Sequence, residues 1–325
     1  MKRGLVIGKF MPLHQGHINL IDFASHNCDE LIVLICATDK EPIDGQMRLN
    51  WVRESFTNPM IKSQLLIYDE AHLPNTSVSS MEASNLWGNF LKEKLPRIDV
   101  IFSSEIYGDY IANSLNCRHS AFDIGRKNLA ISATEIRNHP FLNWDYIPPA
   151  VKPYFVKKIC LYGTESTGKT TLTNRLAQYF NTVGVEEKAR EVIEATRDCT
   201  EKDLIQIAEL HANAILEKIK TANKLLFVDT DINITCSYSR FLFNKELKVP
   251  QWIEEANRFD LYLFLENDSP YIQDGTRLKK HERDLLNESH KKLLMEKGLS
   301  YITIDGDWET RFRKAIEATE AFIKQ

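Results

Sequence analysis

The run Gly163-Thr164-Glu165-Ser166-Thr167-Gly168-Lys169-Thr170-Thr171 matches GxxxxGK[ST] without departure, directly after the apolar segment Ile159-Cys160-Leu161-Tyr162. A glycine-rich loop between a strand and a helix is a phosphate cradle. Its N–H groups wrap phosphate oxygens, the lysine reaches the β and γ phosphates, and the next hydroxyl is a Mg²⁺ ligand. Such a loop needs a buried strand that ends where a helix begins. It therefore predicts a parallel sheet flanked by helices, with an ATP site at 163–171, Lys169 catalytic, and Thr170 on Mg²⁺ that arrives with the ATP.

The rest of the chain keeps the same rhythm. Apolar runs at 4–8, 31–37, 65–68 and 100–102 predict strands in the first half, with helices over 15–27, 48–57 and 81–94. In the second half strands fall at 159–162, 225–228, 261–265 and 301–304, and helices at 169–181, 202–221 and 307–323. In 202–221, Leu204, Ile207, Ala208, Ile215 and Ile219 share one helical stripe. Strands alternating with helices predict an α/β fold with parallel sheets. At 325 residues the chain suits two domains. Four of its eleven prolines lie between 140 and 153, where they interrupt helix and strand alike. The expected domains are 1–153 and 154–325.

Composition excludes several classes. Lys plus Arg number 41 against 45 Asp plus Glu, a net charge of −4, and 43% of residues are hydrophobic. This is the profile of a globular protein rather than a disordered one. An apolar run of about 20 residues does not occur, so no membrane span is expected. The first residues are too weakly apolar for a signal peptide. Six cysteines stand without a CxxC pair, which points to a reducing cytoplasm. No basic footprint suggests nucleic acid as a partner, and a homo-oligomer is compatible with everything in the sequence.

A second constellation follows the first strand: Gly8-Lys9-Phe10-Met11-Pro12-Leu13-His14-Gln15-Gly16-His17. His14 and His17, three apart at a helix start, share a face beside the positive helix end, and Gly16 leaves room for a bulky ligand. Histidines there can donate to a phosphate that gains charge in the transition state. Further on, Ile131-Ser132-Ala133-Thr134-Glu135-Ile136-Arg137 has a capping-box pattern, so a helix should begin at Ser132 and carry Arg137 as a fork for phosphate oxygens.

GxFxPxHxGH with ISxTxIR resembles the nucleotidyltransferase superfamily, particularly the nicotinamide-mononucleotide (NMN) adenylyltransferases. The resemblance implies a Rossmann-like domain in which the 5′-phosphate of NMN attacks the α-phosphate of ATP, giving NAD and pyrophosphate without a covalent enzyme intermediate. It implies that Gly8, Lys9, Phe10, His14, His17, Ser132, Thr134 and Arg137 bind ATP. His14, His17 and Arg137 would be catalytic. Trp87 is the expected platform for the nicotinamide ring, because a cationic pyridinium over an indole face is favourable; ordinary helix packing is the alternative.

In the second half, Leu225-Leu226-Phe227-Val228-Asp229-Thr230-Asp231 puts an acid at the end of a buried strand, a Walker-B-like position. Asp229 is expected to assist the metal or accept a proton, and helix capping is the alternative. The charged patch 186–191 lies where small-molecule kinases keep acceptor-binding acids, unless it is a solvated face. Glu187, Arg190, Glu191, Asp229 and Asp231 are the substrate-binding candidates. The basic, turn-rich stretch 273–283 suggests a lid delivering Arg277 or Arg283 onto the transferring phosphoryl group; an exposed basic loop is the alternative.

An HxGH adenylyltransferase joined to a P-loop kinase, with DTD and DGxR segments, resembles the bifunctional NadR-type proteins over essentially the whole chain. The resemblance implies an NAD salvage enzyme whose substrates are ATP, ribosylnicotinamide and NMN and whose product is NAD. Some members begin with a helix-turn-helix repressor domain. Here the first strand starts almost at Met1, so DNA binding is not expected. Two other readings remain open. One is a phosphopantetheine adenylyltransferase paired with dephospho-CoA kinase. The other is an adenylyltransferase regulated by a nucleotide-sensing P-loop domain.

Overall fold

Leu5, Val6 and Ile7 have no polar face to offer water, and all three are buried at the centre of the first of two parallel sheets. The computed structural model describes residues 1–74, 81–125, 127, 129–193, 199–268 and 278–324. They divide into two units, Met1–Tyr154 and Phe155–Gln325.

The first unit carries β1 (Arg3–Gly8), β2 (Glu30–Ala37), β3 (Ile61–Ile67), β4 (Val100–Ser103) and β5 (Arg118–Ala121), in the order β3-β2-β1-β4-β5. Every pairing is parallel. Its helices are α1 (Gln15–Ser25), α2 (Gly45–Ser55), α3 (Met81–Lys94), α4 (Tyr107–Leu115) and α5 (Ala133–Asn138), with a single turn, α6 (Lys152–Phe155), where the units divide. The strand order reverses between β1 and β4. The carboxyl ends of this pair open the crevice where such sheets bind ligands.

The second unit carries β6 (Lys157–Tyr162), β7 (Val183–Val185), β8 (Leu225–Asp229), β9 (Leu261–Leu265) and β10 (Ile302–Ile304), in the order β10-β9-β6-β8-β7, again all parallel. Around it lie α7 (Lys169–Tyr179), α8 (Glu201–Lys218), α9 (Ile232–Phe243), α10 (Gln251–Ala256), α11 (Lys280–Glu296) and α12 (Trp308–Ile323).

Several boundaries moved from expectation. β3 begins at Ile61, four residues early, because Lys62, Ser63 and Gln64 pair with β2 at an edge where polar residues face water. α2 begins at Gly45, where Asp44 accepts from the Met47 N–H. The stretch 202–221 is α8, capped by Thr200, followed by a separate 3₁₀ turn at Ile219–Thr221. Two strands lack the apolar signature. β5 reads Arg-His-Ser-Ala, and β7 has only three residues with Gly184 in the middle.

α3 and α4 cover one face of the first sheet and touch through Gly88. A Cβ there would lie 2.2 Å from the Ser114 Cβ. Gly88→Ala should therefore lower stability by roughly 1–3 kcal/mol through overpacking, although alanine is the better helix former. Calorimetry should show the melting temperature falling by roughly 2–4 °C per kcal/mol. A raised melting temperature contradicts this packing.

Candidate active sites

In the first unit, β1 delivers the chain into 8–14 with Phe10 at a positive φ of 49° and then into α1. His14 is the N-cap. Its Nδ1 accepts from the Gly16 N–H at 3.1 Å, while His17 Nδ1 accepts from the His14 N–H at 3.3 Å. Two histidines thus form a capping box of their own, with rings stacked at 3.7 Å. With both Nδ1 atoms accepting, a neutral ring carries its hydrogen on Nε2, the donor that a phosphate oxygen requires. Gly16 is needed because a Cβ would sit 3.0 Å from the His14 ring.

Ser132 caps α5 by accepting from the Glu135 N–H at 3.1 Å. One turn on, Arg137 donates to Thr134 Oγ1 at 3.0 Å and to the Met11 carbonyl, tying α5 to the histidine loop. A cleft of about 460 Å³ is lined by Gly8, Lys9, Phe10, His14, His17, Trp87, Ser132, Thr134 and Arg137. The structure therefore brings together all the sequence candidates of this half. Trp87 donates from Nε1 to the Pro74 carbonyl at 3.1 Å and meets Tyr68 edge-on at 4.8 Å.

The support beneath Lys9 was not among the residues read from the sequence. Arg48 is fully buried; it donates to the Lys9 carbonyl at 3.0 Å and to Glu41 at 2.7 Å. Glu41 also reaches the Lys9 ammonium at 3.2 Å. Burial pushes the Glu41 carboxyl up, but the Arg48 and Thr38 donors outweigh it and hold the group below the usual range. Tyr107, also missed, lines the cleft and donates to the Ile7 carbonyl at 2.9 Å. Nothing in the polar text around 41–48 separates a buried ion pair from a solvated turn.

In the second unit the loop after β6 bends through Gly163 (φ 139°), Ser166 (φ 61°) and Gly168 (φ 86°). Side chains are excluded at both glycines. A Cβ on Gly163 would lie 2.6 Å from the Leu265 carbonyl, and one on Gly168 would lie 2.0 Å from the Trp308 ring. Lys169 is buried and donates to the Thr164 carbonyl at 2.9 Å, while Thr167 donates to the same carbonyl at 2.8 Å. Leu278 N donates to Glu165 Oε1 at 2.7 Å. Thr170 is the second residue of α7, and its hydroxyl donates to Asp229 Oδ2 at the end of β8. Thr171 is exposed.

Asp229 is completely buried, and its Oδ1 has no hydrogen-bond partner. Burial pushes its carboxyl up to about 7; the Lys169 charge pulls down against this and the Glu187 charge pushes up. Thr230 follows at φ 71°, an uncommon backbone for a β-branched residue. It is pinned by its N–H to Leu161 and by His211 on its carbonyl. That kink turns Asp231 away. Asp231, expected on the substrate, caps α9: Oδ1 accepts from Asn233 N and Ile234 N, and Oδ2 from Asn233 Nδ2 and Tyr262. Burial raises its carboxyl to about 6. Capping, weighed for Asp229, falls to Asp231.

Three further candidates stand elsewhere than expected. Glu191 is exposed and pairs with Lys188 at 2.5 Å, and Arg190 is exposed beside it. Of that patch, Glu187 and Glu186 are near enough for their charges to push Asp229 up, and Glu187 and Lys188 act on His211. Arg283 belongs to the first turn of α11, not to a lid; it is buried, with Nε donating to the Glu165 carbonyl at 3.0 Å. Arg277 lies outside the described residues. Missed altogether was Arg311 on α12, which donates to the Thr167 and Glu266 carbonyls at 2.8 and 2.9 Å and pairs with Asp268.

A protein of Escherichia coli K12 described as the trifunctional NAD biosynthesis/regulator protein NadR is 32% identical over 343 residues, covering 97% of this chain and 82% of that protein. The chain belongs to the NadR family. A solved structure of NadR protein in complex with NR shares the fold, with a TM-score of 0.80 at 23% identity over 99% of this NadR-family chain and 96% of that one. The nicotinamide-nucleotide adenylyltransferase of Thermococcus onnurineus is 25% identical over 165 residues, 49% of this chain and 83% of that protein. A family model described as an AAA domain matches residues 158–311. Among the described residues, no helix is long and apolar enough to cross a membrane.

The raised Asp229 pKa has a signed consequence. Its folded value of about 7 lies above the ordinary aspartate value of 3.8. The folded state thus holds a proton that the unfolded chain has already lost, and this stabilisation, complete below about pH 4, disappears as pH rises through about 7. Without nucleotide or metal, Asp229→Asn should raise the melting temperature more at about pH 8 than at about pH 4. Equal shifts across a thermal-melt series in pH contradict the buried, uncompensated carboxyl.

Proposed function

We propose that residues 1–153 form an NMN adenylyltransferase and residues 154–325 a ribosylnicotinamide kinase. One chain then converts ribosylnicotinamide to NMN and NMN to NAD, with ATP used in both steps. The reading rests on one observation: a chain of the NadR family joins two phosphate sites of different chemistry. One is headed by paired imidazoles, the other by a lysine-bearing loop with a buried acid beside it. The adenylyltransferase similarity of the first half and the NR-bound relative support it. All six cysteines are free thiols, in keeping with a reducing cytoplasm.

In the first step of this scheme the riboside 5′-hydroxyl attacks the γ-phosphorus of ATP, the bond to the β–γ bridging oxygen breaks, and ADP leaves. Lys169 sits where it can follow the β and γ oxygens, and the loop N–H groups take the rest of the charge. Glu187, whose charge acts on Asp229, and Asp229 itself are the candidates to receive the hydroxyl proton, whereas Glu191 is held at the surface by Lys188. Thr170 and Asp229 fit a hydrated Mg²⁺ brought in by ATP, because the orphaned Asp229 Oδ1 needs a partner of positive charge. When bound, the ion would neutralise charge on the β and γ phosphates.

In the second step an oxygen of the NMN 5′-phosphate attacks the α-phosphorus of ATP and pyrophosphate leaves. The His14 and His17 Nε2–H groups donate to the oxygens that gain charge. Lys9 and Arg137 add positive potential, and Ser132 and Thr134 line the wall for the leaving pyrophosphate. Trp87, anchored at Pro74 and edged by Tyr68, offers the indole face to the pyridinium.

Purified chain with ATP, Mg²⁺ and ribosylnicotinamide should accumulate NMN, then NAD and pyrophosphate, as followed by chromatography. Neither product appearing overturns the proposal. His17→Ala should lower NAD formation from NMN by about 10²–10³-fold and leave riboside phosphorylation intact. Lys169→Ala should do the reverse, and equal loss of both activities in either variant contradicts separate sites. Trp87→Ala should raise the KM for NMN, and an unchanged value removes the indole from the site.

A further inference from the structure

We propose that Ser103, His119 and Asp109 are positioning residues that hold the acceptor wall of the first cleft, an inference that rests on the adenylyltransferase reading. Ser103 ends β4 and is fully buried. Its hydroxyl lies 2.8 Å from the Glu105 carbonyl and 2.9 Å from His119 Nε2, and it accepts from the Glu105 N–H at 3.4 Å. His119, on β5, places Nδ1 2.8 Å from Asp109 Oδ1 on α4. Side-chain exposure is 7% for His119 and 59% for Asp109, so the array runs from the surface inwards.

Serine, histidine and aspartate in sequence have the composition of a nucleophilic triad. With its serine fully buried, the array cannot meet a substrate and acts on the backbone instead. Its target is the turn that leaves β4 at the sheet's reversal point. That turn supplies Ser104, Glu105 and Tyr107 to the cleft lining. Both backbone polar groups of Glu105 engage the Ser103 hydroxyl. Tyr107 donates to Ile7, next to Gly8, and packs in the same apolar cluster as Tyr68 and Trp87. The array therefore sets the wall at the aromatic end of the cleft, away from the imidazole pair.

An independent observation is Gly108. It lies in the first turn of α4 without a positive φ, so the backbone there does not require glycine. A helical glycine costs about 1 kcal/mol relative to alanine. What it provides is space: a Cβ would stand 2.3 Å from both Ser103 Oγ and His119 Nε2, the two atoms of the central hydrogen bond.

The test is steady-state NAD formation by the full chain with NMN or ATP varied, and riboside phosphorylation as the internal control for folding. His119→Leu deletes the link, and Gly108→Ala pries it apart without removing a polar group. Both should raise the KM for NMN about ten- to a hundredfold, the scale expected when a wall drifts by about an ångström. The KM for ATP and kcat should stay within about threefold, and His119→Gln, which keeps a donor and an acceptor, should recover most of the loss. Should either core variant fail to fold, Asp109→Asn at the exposed end gives a smaller rise in the same direction. An NMN KM unmoved in the variants that fold overturns the proposal. So does a parallel loss for NMN, ATP and kcat that glutamine does not rescue. A wild-type chain that forms no NAD from NMN sinks the adenylyltransferase reading and this inference with it, whereas an active wild type with unmoved variants sinks the inference alone.

Discussion

A loop that turns its N–H groups outward to a phosphate turns carbonyl oxygens inward, and a buried carbonyl without a donor is costly. Among the described residues, the largest fully buried side chains are three arginines, Arg48, Arg283 and Arg311. Each donates to a carbonyl of a phosphate loop. Arg48 serves Lys9, Arg283 serves Glu165, and Arg311 serves Thr167. A guanidinium suits the task because its five donors point in fixed directions and it stays charged when buried. The same cations raise the positive potential beneath these loops.

Around that support the two units solve the same problem with different chemistry. In the first, side chains cap the helix start, His14 and His17 holding each other's backbone. In the second, glycines and a strained serine make the cradle, and the lysine comes from the helix itself. The paired imidazoles of the first unit turn Nδ1 to backbone N–H groups of the loop and helix start. The lysine of the second unit lies buried beside an acid whose carboxyl burial pushes up to about 7. The strained Thr230 belongs to this second solution, because it separates the Asp229 carboxyl, with one oxygen left without a hydrogen bond, from the capping carboxyl of Asp231.

Much of this was legible in the residues, and the misses share a cause. The strands with apolar runs, β1, β2, β4, β6, β8 and β9, could be placed because a strand covered on both faces must be apolar throughout. β5 and β7 could not, since edge strands tolerate polar residues and short length. HxGH, Arg137 and the GxxxxGK[ST] loop could be found because their spacing is local. Arg48, Arg311 and the Ser103–His119–Asp109 array are built from residues far apart in the chain. Arg283 shows the opposite error: a basic run suggested a lid, yet its side chain is packed beneath the P-loop.

Local order along the chain sufficed for two parallel sheets and for the histidine-bearing turn and the glycine-rich loop that follow β1 and β6. Those features depend on neighbouring residues, through hydrophobic period, glycine freedom and helix capping. Which acid keeps an oxygen without a hydrogen bond, which arginine lies under which loop, and how Ser103, His119 and Asp109 meet were decided by the tertiary fold. Burial and hydrogen-bond partnership arise only when distant segments meet, and those two quantities convert an ordinary Asp, Arg or His into part of a site.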